Sequence, residues 1–99
     1  MNLKADLEAL GSTEQEVAAT LKAKGIRGLR DYSWGCPVAN YLKSLGYQVE
    51  MVLDDHVCAD IVDGCLFKRF NACTPPAIKA FILAFDRRDY PELDWSLAL

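Results

Sequence analysis

The sequence predicts one small α+β domain with two to three N-terminal helices, a three-stranded antiparallel β-meander and a C-terminal helix packing on the sheet. Three observations favour this order. Apolar residues recur at helical spacing near both ends of the chain, they alternate with a period of two in its middle, and a length of 99 residues suits a single domain. The composition, 52% hydrophobic and 25% charged, is typical of a globular chain, so we expect residues 1–99 to share one core.

The N-terminal half carries three helix signals. Residues 2–10 place leucines at i, i+4 and i+7 before a glycine. Residues 12–16, with the sequence STEQE, contain two overlapping capping boxes and predict a second helix that ends at Gly25. Pro37 suits the first position of a third helix, so Cys36 is the predicted N-cap residue and Gly46 the predicted end.

The middle of the chain predicts the three strands. Apolar residues alternate in residues 47–53 and again in residues 57–61, and residues 54–56 are expected to form the loop between these runs. The dipeptide Asp63-Gly64 is typical of a two-residue hairpin turn between the second and third strands. The three strands should therefore follow one another as a meander.

The hairpin turn also predicts a register. With the turn formed by those two residues, Ile61 lies opposite Leu66 and Cys58 lies opposite Arg69. Because side chains alternate between the two faces of a sheet, one face of this hairpin is apolar and the other is mixed. We expect the apolar face to pack on the helices.

The C-terminal segment predicts a helix followed by an apolar tail. Residues 74–76 (TPP) open the helix, and residues 78–85 carry a regular apolar stripe. In the tail (residues 90–99), residues 92–99 place large apolar side chains at positions 93, 95, 97 and 99, beside the acidic residues 89, 92 and 94, which is too apolar for a freely solvated terminus. We therefore expect this tail to dock on its own domain or on a partner. The predicted partner-binding residues are Tyr90, Leu93, Trp95 and Leu97.

Charge and termini narrow the function classes. Residues 1–46 hold six basic and five acidic groups, whereas residues 47–99 hold five basic and nine acidic groups, which gives +1 and −4. A nucleic-acid partner needs a concentrated basic surface, so the acidic second half argues against one. The N-terminus lacks an uninterrupted apolar stretch and no segment is long enough to cross a membrane, so we expect a cytoplasmic protein without membrane contact.

Cys36, His56 and Asp55 form the candidate catalytic set, with Asp54 or Asp60 as alternatives to Asp55. A thiol at a helix N-cap faces unpaired amides and the positive end of the helix dipole, which lower its pKa, and a nearby imidazole with an orienting carboxylate would complete a cysteine-dependent hydrolase or transferase. The order of cysteine on a helix, strand and then histidine resembles that of papain-like and transglutaminase-like thiol hydrolases, although no local signature of those families is present. The alternative interpretation is a buried, structural cysteine.

The cysteines do not predict a metal site. Cys58, Cys65 and Cys73 are separated by six and seven residues, which matches no tight zinc-binding knuckle. A reducing compartment would also keep these thiols and Cys36 free rather than paired. We therefore predict free cysteines, no metal and no cofactor.

Two function classes remain after these exclusions. The first is a non-enzymatic interaction or regulatory module that binds another protein, or a second copy of itself, through its acidic half and its tail. The second is the cysteine-dependent enzyme. The two differ in what they require of Cys36, because an enzyme needs an accessible thiolate within hydrogen-bond reach of His56 and an interaction module does not.

Overall fold

The computed structural model describes residues 2–29, 35–63 and 65–94 and confirms the predicted α+β class. Three helices come first, three antiparallel strands follow, and a fourth helix and a short 3-10 helix close the described chain. The elements are α1 (Leu3–Glu8), α2 (Glu14–Ala23), α3 (Pro37–Ser44), β1 (Gln48–Val52), β2 (His56–Asp63), β3 (Leu66–Cys73), α4 (Pro76–Asp86) and the 3-10 helix Pro91–Leu93.

The start of α2 shows how the sequence sets a helix boundary. The Thr13 hydroxyl accepts a hydrogen bond from the Glu16 amide at 3.2 Å. The Glu16 carboxylate in turn accepts one from the Ser12 amide at 2.7 Å, and this bond lowers the pKa of Glu16. The first bond satisfies an amide of the first helical turn, as predicted for the Thr13 and Glu16 capping box, while the Glu16 carboxylate reaches back to the residue before the cap.

The sheet has the order β1-β2-β3, and its two faces have different surroundings. Val57 and Ala59 of β2 are fully buried in the core formed with the helices, so we call this side the covered face. The intervening residues of β2 point to the other side, which we call the open face. The open face carries His56, Cys58, Asp60 and Val62 of β2 and their cross-strand partners Cys73, Asn71, Arg69 and Phe67 of β3.

The observed hairpin register corrects the prediction. Ile61 lies opposite Lys68 rather than Leu66, and Cys58 lies opposite Asn71 rather than Arg69. The shift is two residues along β3, so every side chain keeps its predicted face. Its physical consequence is electrostatic, because Arg69 now lies directly opposite Asp60 and the two form an ion pair.

A β-bulge corrects the predicted faces of Met51 and Val52 in β1. The pairing with β2 shifts between Val49 and Met51, so Val49 lies opposite Ala59 while Met51 lies opposite Cys58 on the open face. The simple alternation had placed both on the apolar face. Val52 then returns to the covered face opposite Val57.

The helices supply most of the core on the covered face. Phe81 and Phe85 of α4 are almost fully buried and stack with ring centroids 5.9 Å apart. Tyr47 meets Phe70 of the sheet edge-to-face at 5.8 Å. Within the three described ranges, no helix has the length and apolarity that crossing a bilayer would demand.

Candidate functional site

Cys36 is the N-cap residue of α3, as predicted, but its environment differs from that of a reactive thiol. Its sulfur accepts a hydrogen bond from the Ala39 amide at 3.5 Å, and the residue is only 6% exposed. A Cβ on Gly28 would clash with the backbone of Cys36 and Pro37, so glycine is required where this segment meets the start of α3. Burial raises the pKa of Cys36 to about 11, opposite to the lowering expected from the cap alone.

The three predicted catalytic residues lie in separate surroundings. Cys36 belongs to the core, whereas His56 begins β2 on the open face and its Nε2 lies 3.1 Å from Oδ1 of Asn71. Asp55 precedes β2, and its backbone carbonyl accepts a hydrogen bond from the Thr74 amide. In the described parts of the chain no hydrogen bond joins Cys36 to His56. Catalysis by these residues stays a prediction.

The beginning of the tail packs against its own domain. Leu93 is 2% exposed and belongs to the core, and the backbone at Asp94 forms an isolated parallel bridge with Gly28. The Tyr90 hydroxyl donates a hydrogen bond to Glu14 at 2.6 Å, and burial with this bond raises the pKa of Tyr90 to about 12. Trp95 and Leu97, the other two predicted partner-binding residues, lie outside the described residues.

The open face carries a charged cluster that the sequence did not predict. Arg69 reaches Glu50 at 2.7 Å and Asp60 at 3.0 Å, and Asp60 is buried beneath it. The thiol of Cys58 donates to Glu50 at 3.5 Å. The hydrogen bond to Asp60 holds the pKa of Arg69 above its usual value, while burial and the bond to Glu50 raise the pKa of Cys58.

This cluster has donor types that a divalent metal could use. Ligand atoms of Glu50, Cys58 and Asp60 lie within 4.8 Å of one another. The Arg69 guanidinium already binds both carboxylates, so a metal ion would have to displace a cation that is part of the fold. The geometry therefore matches a cross-strand ion pair better than a metal centre.

The end of the β2–β3 hairpin exposes three large apolar side chains, which we call the hairpin patch. Val62 is 47% exposed, Leu66 72% and Phe67 61%. Val62 and Phe67 lie directly opposite each other on the open face. Leu66 lies on the covered face, because side chains alternate along the strand. Its exposure means that the helices do not reach this end of the sheet. Clustered exposed apolar residues are typical of contact surfaces.

A groove of about 490 Å³, which we call the edge groove, adjoins the other end of β3. It lies where α1 and the chain entering α2 approach the connection from β3 to α4. Its lining residues are Lys4, Glu8, Gly11, Ser12, Cys73, Thr74, Pro75, Pro76 and Ala77. The four cysteines of the chain are free, and Cys65 and Cys73 are the exposed pair.

Comparison of the chain with known protein families, with curated proteins and with solved structures found no match. The site therefore has to be interpreted from its own geometry. Sequence reasoning missed the hairpin patch, although a signal was present: Ile61-Val62 and Leu66-Phe67 are consecutive apolar pairs. One member of each pair must point away from the covered face, because neighbouring residues of a strand face opposite sides.

Proposed function

We propose that this protein is a small, non-enzymatic interaction module that binds another protein. The observation that carries the proposal is the hairpin patch, where Phe67 and Leu66 are more than half exposed at the end of the sheet. Exposed aromatic and aliphatic side chains at one place are the usual anchors of protein interfaces. The ion-paired Arg69 and Asp60 beside the patch would form a polar rim.

The proposed partner is a protein and not a nucleic acid. The cluster beside the patch has two carboxylates and one guanidinium, so its net charge is negative and it would repel phosphates. We also propose a cytoplasmic location, which is supported by four free thiols because a reducing compartment keeps them unpaired. Trp95 and Leu97 remain proposed contributors to binding.

A variant series can test the proposal without knowing the partner in advance. The tagged chain is used to capture proteins from its source cells, each captured protein is purified, and its direct affinity is measured by calorimetry. We expect Phe67→Ser to weaken direct binding by about tenfold or more, because loss of a central aromatic anchor costs roughly 2 kcal/mol. Trp95→Ala tests the tail in the same assay.

Leu83→Ser is the matched control for that series. Leu83 lies on α4 and is 41% exposed, so it has a comparable apolar surface away from the hairpin patch. The control should bind like the wild type. Equal affinity for the wild type, Phe67→Ser and Leu83→Ser would exclude the patch as the binding surface, and the lack of any directly bound protein would exclude the proposed function.

A further inference from the structure

The two edge strands of the sheet are protected to different degrees. β1 has five residues, contains the bulge and packs beside α3. β3 has eight residues in regular register, without a bulge or a proline. Its side chains are exposed at six of the eight positions, the exceptions being the half-buried Phe70 and Ala72. Bulges and short length are two means by which proteins block edge pairing, and β3 has neither, although α1 packs against it.

The hydrogen-bonding pattern between β2 and β3 identifies which backbone groups of β3 point away from the sheet. The Thr74 amide donates to the Asp55 carbonyl at 3.1 Å, one step beyond the His56–Cys73 pair. Hydrogen-bonded and non-hydrogen-bonded pairs alternate along an antiparallel ladder, so every second residue of β3 turns its N–H and C=O away from β2. These residues are Phe67, Arg69, Asn71 and Cys73. In the described parts of the chain, no hydrogen bond to another segment occupies their outward backbone groups.

The two charges on β3 are held within their own sheet. Arg69 binds Glu50 and Asp60, and Lys68 lies with its Nζ 5.0 Å from the centre of the Phe70 ring. Charged side chains at an edge normally discourage a second strand. Here Arg69 is held by two carboxylates of the sheet and Lys68 lies over a ring of its own strand, so both cations already have partners within this chain.

We propose that a second copy of this chain pairs its β3 antiparallel with this β3, around a twofold axis at Phe70. When two copies form one continuous sheet, residues opposite each other must lie on the same face, and their free backbone groups must meet. Neighbouring residues of a strand lie on opposite faces, so the twofold axis has to pass at a residue and not between two residues. An axis at Lys68 or Arg69 would place like charges opposite each other, and an axis nearer either end of β3 would pair fewer residues of the two strands. The axis at Phe70 places Arg69 opposite Asn71 and Lys68 opposite Ala72.

In this register the exposed Phe67 side chain of each copy would contact the other copy. Phe67 lies opposite Cys73, a residue that lines the edge groove, and the contact occurs twice by symmetry. The two Phe70 rings meet at the axis in a closely spaced, non-hydrogen-bonded pair. The four pairs of outward residues would form about eight backbone hydrogen bonds. Both surfaces include Phe67, but the pairing is inferred from the free backbone edge of β3 and does not depend on the proposed function.

Sedimentation equilibrium of the purified chain tests the pairing. The wild type should approach twice the 11.0 kDa chain mass as its concentration rises. Asn71→Pro removes one outward amide and should give a folded monomer, since proline is tolerated at an edge where the N–H faces solvent. Asn71→Ala removes the side chain but keeps the amide, so it should still dimerise. A monomeric wild type, or an Asn71→Pro chain that dimerises like the wild type, would overturn the inference.

A disulfide trap keeps the inference testable if Asn71→Pro fails to fold. In a Cys65→Ser background, Phe67→Cys should form an intermolecular bond to Cys73 under mild oxidation, because hydrogen-bonded antiparallel partners have a Cα separation of about 5.5 Å, suitable for a disulfide. Leu66→Cys puts an equally exposed thiol one residue away with no cysteine opposite, and should not crosslink. If the Phe67→Cys chain forms no disulfide to Cys73 of a second copy, or if both variants crosslink equally, the register is contradicted.

Discussion

The covered and open faces of the sheet arise from one alternation of side chains and end in opposite environments. Val57 and Ala59 on the covered face are completely buried against the helices. Phe67 and Val62 on the open face leave about half or more of their surfaces exposed. The comparison shows that the covered face supplies stability, whereas the open face is available for contacts with other molecules. Substitutions on the covered face should therefore lower the free energy of unfolding, and substitutions on the exposed part of the open face should leave it nearly unchanged.

The largest expected effect is loss of stability from the covered side. Phe81→Ala should lower the free energy of unfolding by about 3 to 5 kcal/mol, because it removes a fully buried ring and leaves a cavity. Phe67→Ala, at a side chain of the open face that is 61% exposed, should change it by no more than about 1 kcal/mol. Urea denaturation measures both. Similar losses of unfolding free energy in the two variants would contradict the claim that the covered side supplies the stability.

The second effect distinguishes the buried thiol from an exposed one by pH. Burial raises the pKa of Cys36 from 9.0 to about 11, so the folded protein binds this proton more tightly than the unfolded chain does. Its contribution is fully present below pH 9 and is lost as the pH rises towards 11, by roughly 2 to 3 kcal/mol. Cys36→Ala should flatten this decline in unfolding free energy. An unchanged slope in Cys36→Ala contradicts the burial of the thiol.

The smallest effect concerns the charged cluster of the open face. Arg69→Met leaves the buried Asp60 without its partner, and we expect a loss of roughly 1 to 2 kcal/mol. Arg87→Met removes the exposed pair with Asp89 at 3.2 Å and should cost no more than about 0.5 kcal/mol. Thermal unfolding of the two variants at low salt makes the comparison. Equal losses would mean that Arg69 does not compensate a buried charge.

The sequence was sufficient for the order and type of the elements. Local signals specify them: the capping residues at Thr13 and Glu16, Pro37 at the start of α3 and the period-two runs of the strands. The hairpin register was predicted wrongly because the Asp63-Gly64 signal concerns turn propensity alone. The pairing of Asp60 with Arg69 is a cross-strand interaction that turn chemistry does not report.

The candidate site was less predictable than the fold. The cap position of Cys36 could be inferred from Pro37, but the direction of its pKa depends on burial by residues distant in sequence. The bulge that places Met51 on the open face is likewise a property of the paired strands. Only the consecutive apolar pairs around the hairpin turn carried a local signal for the surface that we propose as functional.

The measurement that tests the central claim most directly is the alkylation rate of each cysteine against pH on the folded protein, read by mass spectrometry. The claim is that function resides on the exposed surface of the sheet and not at a Cys36 nucleophile. It predicts that Cys65 and Cys73 react readily, and that Cys36 stays protected until the protein unfolds. Rapid alkylation of Cys36 alone, with a midpoint well below the ordinary thiol pKa of 9.0, would contradict the account and favour the cysteine-dependent enzyme.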